Sequence, residues 1–215
     1  MRVAIFSICM LLSVCARASG AFISLKAYLE SITGKPVSQL VADTNDMNSS
    51  TRGTLTFGKV SPQWQPDADE QFSYLFILRK MNDGGVVEII RSKGFSVYDS
   101  RGRTYMEMLS VSSDRKFSVP VIHRSACGPS MDTYVFAEVK NVWRLAGLDT
   151  ESYECGDAND AIGANGRATS RNFLTGLVTK REFKKNKIVG RKSEMHKFPV
   201  FPLVDFRPFD DRYGW

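Results

Sequence analysis

Two histidines, His123 and His196, are the first side chains to consider for chemistry in this 215-residue chain. They lie 73 residues apart without the H-E-x-x-H spacing of zinc hydrolases, and a zinc site needs three or four His, Cys or carboxylate ligands. The chain also contains no G-x-S-x-G nucleophile elbow and no G-x-x-x-x-G-K-[ST] phosphate loop. We therefore expect no metal site and no cofactor, and assign no catalytic residue.

Carboxylates are the other candidates for chemistry. Asp67 and Asp69 follow Trp64, and a pair of carboxylates roughly 5–10 Å apart beside an aromatic ring would suit a glycan hydrolase. Asp157 opens a D-x-N-D stretch that lacks most ligands of a calcium loop. A hydrolase that uses such carboxylates on cell-envelope polymers is therefore the alternative function, although solvated acidic loops are the simpler interpretation.

A run of basic side chains lies near the C-terminus. It places seven cations within 13 residues: Lys180, Arg181, Lys184, Lys185, Lys187, Arg191 and Lys192. Such a patch can bind an anionic partner, for example an envelope polymer or an acidic protein. Lysines also protect exposed edge hairpins from aggregation, which is their commoner use. The sequence leaves both interpretations open.

The first 18 residues are typical of a secretory signal peptide. Arg2 supplies a positive start, residues 3–14 form an apolar core too short to span a bilayer, and Ala16-Arg17-Ala18 is an A-x-A cleavage site. A lipoprotein anchor at Cys15 is the alternative, but the bulky Val14 before it favours cleavage near Ala18. We therefore expect a periplasmic or secreted protein.

Cysteine usage agrees with export. Cleavage would remove Cys9 and Cys15 and leave Cys127 and Cys155, which most simply pair in an oxidising compartment. Closing this loop of about 29 residues would stabilise the fold by roughly 3–4 kcal/mol in the chain-entropy model. A catalytic thiol is the less favoured alternative, because it would leave a reactive cysteine exposed to oxidation.

The bulk composition is that of a globular protein, with 43% hydrophobic and 24% charged residues. The formal net charge of +6 falls to about +4 without Arg2 and Arg17. This mild excess does not predict nucleic-acid binding. No second apolar run is long enough to span a membrane.

Apolar periodicity predicts one short helix followed by strands. Helical spacing extends over residues 22–32 and Gly34 ends it, while the polar residues 43–52 are typical of a loop. The period then changes to two, which predicts strands at 54–60, 71–79, 86–91, 95–98, 103–111, 117–123, 133–140, 142–148, 173–179 and 181–189.

The spacing of turns favours a mainly β fold, a single antiparallel curled sheet or sandwich-like domain with one short N-terminal helix. Residues 154–171 are small and polar and predict a long loop, and the tail from 198 predicts an extended aromatic segment packed along the sheet. We divide the chain into a signal peptide at 1–18, a helix and loop at 19–50 and a β-rich domain at 51–215.

Residues 142–149 (VWRLAGLD), 170–176 (SRNFLTG) and 202–206 (PLVDF) form a recurring pattern. It resembles a group of uncharacterised exported bacterial β-rich proteins that share a W-x-L-x-G strand, a polar loop and an S-x-N-[FY]-L-T-G segment. The resemblance covers roughly the C-terminal half and implies an extracytoplasmic β-rich domain. It implies no activity.

Physical chemistry gives this pattern a structural meaning. Trp143 and Leu145 are expected to share one strand face as core anchors, and Gly147 and Gly176 to lie at a bulge or a close backbone approach. Asn172 is expected to bond loop backbone. We therefore predict a non-enzymatic extracytoplasmic binding protein, one version being an inhibitor or immunity-type partner of a secreted enzyme.

Overall fold

The computed structural model describes residues 21–65, 71–96, 104–125, 128–154 and 165–213. These residues form antiparallel sheets beside one α-helix, which confirms the predicted mainly β fold. Several predicted features lie outside the described residues: the signal peptide with Cys15, the acidic Asp67, Asp69 and Asp157, and the cysteines Cys127 and Cys155.

The smaller sheet has five strands: β1 (Ala21–Phe22), β2 (Leu40–Ser49), β3 (Gly53–Pro62), β4 (Tyr74–Lys80) and β5 (Val86–Arg91). Their order across the sheet is β1-β5-β4-β3-β2, and all neighbours are antiparallel. The turn predicted at residues 82–85 joins β4 to β5, and Gly84 has a positive φ of 83° there.

The prediction of a loop over residues 43–52 is wrong, because most of this segment belongs to β2. β2 pairs with β3 along its whole length. Its polar side chains suit a strand because they bond to neighbouring elements. Asp46 accepts a hydrogen bond from the Thr56 hydroxyl at 2.7 Å, and Asp43 accepts one from the Leu109 N–H at 2.6 Å.

The larger sheet has eight strands: β6 (Thr104–Met106), β7 (Ser110–Ser113), β8 (Lys116–Ser125), β9 (Gly128–Val139), β10 (Val142–Tyr153), β11 (Gly166–Asn172), β12 (Leu177–Lys184) and β13 (Lys187–Met195). Their order is β13-β12-β11-β10-β9-β8-β6, and β7 pairs with β8 beyond the end of β6. The predicted hairpin around Lys140 and Asn141 joins β9 to β10, and both turn residues have positive φ.

Three predictions in this sheet are wrong. Residues 166–171 form β11 rather than the end of a loop, and the predicted strand at 173–179 begins only at Leu177. The small residues of β11 hid this strand in the sequence, because Gly166 and Ala168 contribute little apolar pattern although both are buried. The segment predicted as one strand at 103–111 is divided between β6 and β7.

The main core lies between the two sheets. Phe57 of the smaller sheet packs against Phe117 and Trp143 of the larger one, with ring centroids 5.5 Å and 5.7 Å apart. Trp143 and Leu145 are both buried in this core, as predicted. After Leu145, the extra residue Ala146 forms a β-bulge, so Gly147 lies where the sequence predicted one.

The helix α1 (Leu25–Thr33) covers the other face of the smaller sheet, where Tyr28 and Leu29 are buried. The Ser24 hydroxyl caps its first turn by accepting from the Ala27 N–H at 3.2 Å, and Gly34 ends it with a φ of 66°. The helix therefore begins a few residues later than the predicted 22–32.

The C-terminal tail packs along the sheet as predicted. Phe201, Leu203, Phe206 and Tyr213 are buried within the main core. The Leu145 N–H donates to the Phe201 carbonyl at 2.9 Å, which attaches the tail to the bulged strand β10.

Candidate functional site

The seven predicted cations lie on the hairpin of β12 and β13, which we call the basic hairpin (residues 177–195). The predicted boundary between strands at 173–179 and 181–189 is wrong, because β12 continues to Lys184. Lys185 and Asn186 form the turn, with φ of 49° and 61°. Asparagine tolerates this left-handed conformation better than most residues. β13 is the last strand of the larger sheet, so the hairpin lies at the edge of that sheet.

The register across the sheet shows which face each strand residue occupies. We call the face that carries the core residue Leu148 the inner face, and the opposite one the outer face. Leu148 lies opposite Arg171, Arg171 opposite Val178, and Val178 opposite Glu194. Directly opposite residues of antiparallel strands share a face, and alternate residues along a strand return to it.

This register divides the cations between the two faces. The inner face carries Lys180, Lys184, Lys187 and Lys192, and the outer face carries Arg181 and Arg191. Lys185 lies in the turn. Val189 is an extra residue that forms a β-bulge, because Glu182 lies opposite Gly190 while Phe183 lies opposite Ile188. The bulge brings Lys187 and Lys192 to the same face.

The inner face of the hairpin forms a shallow groove of about 410 Å³. Its lining includes Lys180 and Lys192, and also the carboxylate residue Glu182, which lies opposite Gly190. Arg167 of β11 also lines it. The predicted patch does not include Arg167, because the predicted loop covers residues 154–171. Only the pairing of Arg167 with Glu182 places it beside the hairpin.

Glu194 neutralises part of this charge. Its carboxylate lies 2.9 Å from the Lys180 Nζ, 3.6 Å from the Lys192 Nζ and 3.1 Å from the His196 Nε2. Hydrogen bonds from Lys180 and His196 lower the pKa of Glu194 to about 2. Within the described part of the chain, no carboxylate forms an ion pair with Lys184, Lys185 or Lys187, so the end of the hairpin keeps its positive charge.

The outer face of the hairpin is more apolar. Tyr153 and Phe183 pack edge to face with centroids 5.8 Å apart, and Ile188 lines a cavity of about 290 Å³ beside them. The Tyr153 hydroxyl donates to the Glu151 carboxylate at 3.0 Å, and burial together with this carboxylate raises the pKa of Tyr153.

The edge strand β13 exposes apolar side chains. Ile188 is 62% exposed, Val189 is 55% exposed and Met195 is 69% exposed. A strand whose lysines served only to protect a sheet edge would place polar residues at these positions as well. The basic hairpin therefore combines cations with accessible apolar area.

A second group of polar side chains, Thr104, His123 and Asp132, links β6, β8 and β9 through hydrogen bonds to the imidazole. The Thr104 hydroxyl lies 3.3 Å from His123 Nδ1, and His123 Nε2 lies 3.0 Å from the Asp132 carboxylate. Thr104 and Asp132 are buried, and the Phe209 ring lies 4.8 Å from the imidazole ring, measured between centroids. The Phe209 N–H also donates to the Tyr134 hydroxyl, so this group attaches the tail to the sheet.

Lys59 is a buried amine between the two sheets, only 4% exposed. Its Nζ donates to the Met106 carbonyl at 3.0 Å. Desolvation lowers the pKa of Lys59, and the charges of Asp43 and Glu107 oppose this shift. The arrangement fixes β6 to the core and gives the amine no access to a ligand.

The described residues contain no group of three or more His, Cys, Asp or Glu side chains placed to hold a metal. Among the same residues, no helix has the length and apolar character needed to cross a membrane. The comparisons with known proteins found no family model, no curated protein and no solved structure that matches this chain.

Proposed function

We propose that this chain is a non-enzymatic extracytoplasmic protein that binds an anionic partner through the basic hairpin. The charge of that hairpin carries the proposal: residues 177–195 contain seven lysines and arginines and two glutamates. Charge of one sign on an exposed surface attracts and orients a partner of the opposite sign. An acidic secreted enzyme that this protein inhibits or neutralises is the concrete version.

The distribution of charge supports binding over simple protection of an edge. Arg167 lies on β11, two strands in from the edge, and still lines the same groove as Lys180 and Lys192. A cation at that depth in the sheet does nothing to prevent edge pairing. The exposed Ile188 and Met195 add apolar area of the kind that interfaces bury.

The signal peptide features of residues 1–18 support an extracytoplasmic location, as does the implied resemblance to exported proteins. An expected disulfide between Cys127 and Cys155 would be compatible with that compartment. Fractionation of cells that express the full chain, followed by N-terminal sequencing of the exported form, tests this location.

The binding experiment is a pull-down from periplasmic extract with a triple variant, Lys184→Ala, Lys185→Ala and Lys187→Ala. The matched control replaces Lys26, Lys116 and Lys140 with alanine, which removes the same charge from exposed positions elsewhere. Lys140 and Lys185 both have positive φ in two-residue turns, so the two triple variants also carry the same backbone strain.

We expect a partner to be enriched by the parent and the control variant and lost with the hairpin variant. The interaction with the purified partner should weaken as the salt concentration rises. Equal capture by both triple variants would contradict the role of the hairpin. Degradation of purified peptidoglycan by the protein would instead favour the carboxylate-dependent hydrolase.

A further inference from the structure

We infer that the partner presents an extended polypeptide strand that pairs with the outer edge of β13, which no described strand covers. The strand would carry acidic side chains on the inner face and apolar side chains on the outer face. This inference rests on the proposed function and deepens it, because it specifies how the anionic partner is held. Addition of a strand to a sheet edge combines main-chain hydrogen bonds with selection of alternate side chains.

The backbone of β13 is oriented for such pairing. The His196 N–H donates to the Gly176 carbonyl at 2.8 Å, so the backbone N–H of His196 points toward the β12 side of β13. In an antiparallel pair, alternate residues bond to the neighbour and the residues between them point away. Met195, Ser193 and Arg191 therefore direct their N–H and C=O groups to the free edge, where no described strand pairs with them.

The inner face of β13 selects acidic side chains. Lys187 and Lys192 would lie directly beside an added strand, and Lys180 lies one strand further in. Glu194 at the end of β13 already holds Lys180 and Lys192, which shows that a carboxylate fits on this face. A neighbouring acidic strand would place further carboxylates beside the same lysines and beside Lys187, which pairs with no carboxylate of the described residues.

The outer face of β13 carries Arg191 and Ser193 as well as two exposed apolar residues, and these two favour apolar side chains on the added strand. Ile188 and Met195 lie there and are the two most exposed apolar residues of the hairpin. Side chains directly opposite each other on neighbouring strands approach within about 5 Å. An apolar residue on the added strand would therefore cover each of them. The occupant that fits both faces alternates between acidic and apolar residues.

Two other occupants fit this edge less well. A second copy of β13 would bring the same excess of cations (Lys187, Arg191 and Lys192 against Glu194) against itself. Like charges on directly opposed strands are destabilising. An anionic polymer without a peptide backbone would leave the edge-facing N–H and C=O groups of Arg191, Ser193 and Met195 unpaired, and the Ile188 and Met195 side chains uncovered.

The probe is a capped ten-residue peptide that alternates glutamate and valine, with affinity measured by calorimetry. A peptide that alternates glutamate and proline has the same charge but cannot form the ladder, because proline lacks the N–H donor. Polyphosphate serves as the anionic polymer. We expect the Glu–Val peptide to bind at least tenfold more tightly than the Glu–Pro peptide, with slowed hydrogen exchange at Arg191, Ser193 and Met195.

The decisive variant is Ser193→Pro, which removes one edge-facing N–H and leaves every cation in place. Proline is tolerated on an edge strand where its nitrogen faces away from the sheet. Ser193→Ala is the matched control, because both variants lose the hydrogen bond between the Ser193 and Thr179 hydroxyls. We expect Ser193→Pro to weaken Glu–Val binding at least tenfold and Ser193→Ala to change it less than about twofold.

The outcomes separate this inference from the proposed function. Strand addition is overturned if the Glu–Pro peptide or polyphosphate binds as tightly as the Glu–Val peptide and Ser193→Pro does not weaken this binding. The hairpin would then bind its partner by charge alone. No binding of the Glu–Val peptide also overturns strand addition, whereas the proposed function depends on the pull-down with the two triple lysine variants. A dimer of the free protein that Ser193→Pro dissociates would show that the edge belongs to a second copy.

Discussion

Gly176 connects the turn after β11 to the start of the basic hairpin, and its replacement by alanine tests this part of the structure directly. Its N–H donates to the Asn172 carbonyl and its carbonyl accepts from the His196 N–H, both at 2.8 Å. Its φ is +84°, a conformation in which L residues are strained. A Cβ at this position would also lie well under 3.0 Å from the His196 carbonyl oxygen.

Gly84 supplies a matched control because its φ is +83° and no atom lies within 4 Å of the position of its Cβ. Both alanine variants therefore carry the same conformational strain, about 1–2 kcal/mol. Both substitutions also lower the conformational entropy of the unfolded chain by the same amount, so this effect cancels in the comparison. Only the Cβ of Gly176→Ala would also push against the His196 backbone, and overpacking of this kind typically costs about 1–3 kcal/mol.

We expect Gly176→Ala to lose about 1–3 kcal/mol more free energy of unfolding than Gly84→Ala. For a chain of this size each kcal/mol lowers Tm by roughly 2–4 °C, so the two Tm values should differ by about 2–12 °C. Urea unfolding followed by circular dichroism gives the free energies, and equal m-values would justify the comparison. Equal stability of the two variants would refute the close approach of Gly176 to His196.

Three further predictions follow from buried or paired groups. The fold lowers the pKa of Lys59, so below pH 10.5 the unfolded chain binds more protons at this residue than the folded chain does. The contribution of Lys59 to the free energy of unfolding should therefore rise as the pH rises toward 10.5. Lys59→Met should reduce this slope, measured by urea unfolding at a series of pH values. Burial raises the pKa of Tyr213 to about 12. The neutral phenol therefore contributes fully to the free energy of unfolding below pH 10, and this contribution is lost as the pH rises toward 12. Tyr213→Phe should make the free energy of unfolding fall less over this pH range. Reduction should add two daltons to the exported protein if Cys127 and Cys155 are paired, whereas two thiols that alkylate without reductant would exclude the pair.

The sequence predicts those strands in which the buried residues are large and apolar, because these residues then form a pattern that the sequence shows. The strands β4, β8, β9 and β10 carry large apolar residues in the main core, and the Trp143 and Leu145 pattern lies where the sequence places it. Asn172 accepts hydrogen bonds from the Leu174 and Thr175 N–H groups at 3.0 Å, as expected for a turn residue. These predictions depend only on local chemistry.

The errors have a common physical cause. β2 is polar because its side chains bond to the elements that cover it, and β11 is small because larger neighbours pack against it. At Gly166 a Cβ would lie within 3.0 Å of the Phe183 ring. Such strands are specified by their partners rather than by their own pattern, so a single sequence gives little sign of them.

The charge of the basic hairpin is predictable from the sequence, but its geometry is not. Strict alternation from Lys187 would place Lys192 on the opposite face, because the two residues are separated by an odd number of positions. The extra residue Val189 shifts the register by one and brings both lysines to the inner face. The bulge therefore places Lys187 and Lys192 on one face of β13 and Ile188, Arg191 and Met195 on the other, a division that alternation along the sequence does not show. A two-sided edge strand of this kind can distinguish an alternating acidic and apolar peptide from any polymer that offers charge alone.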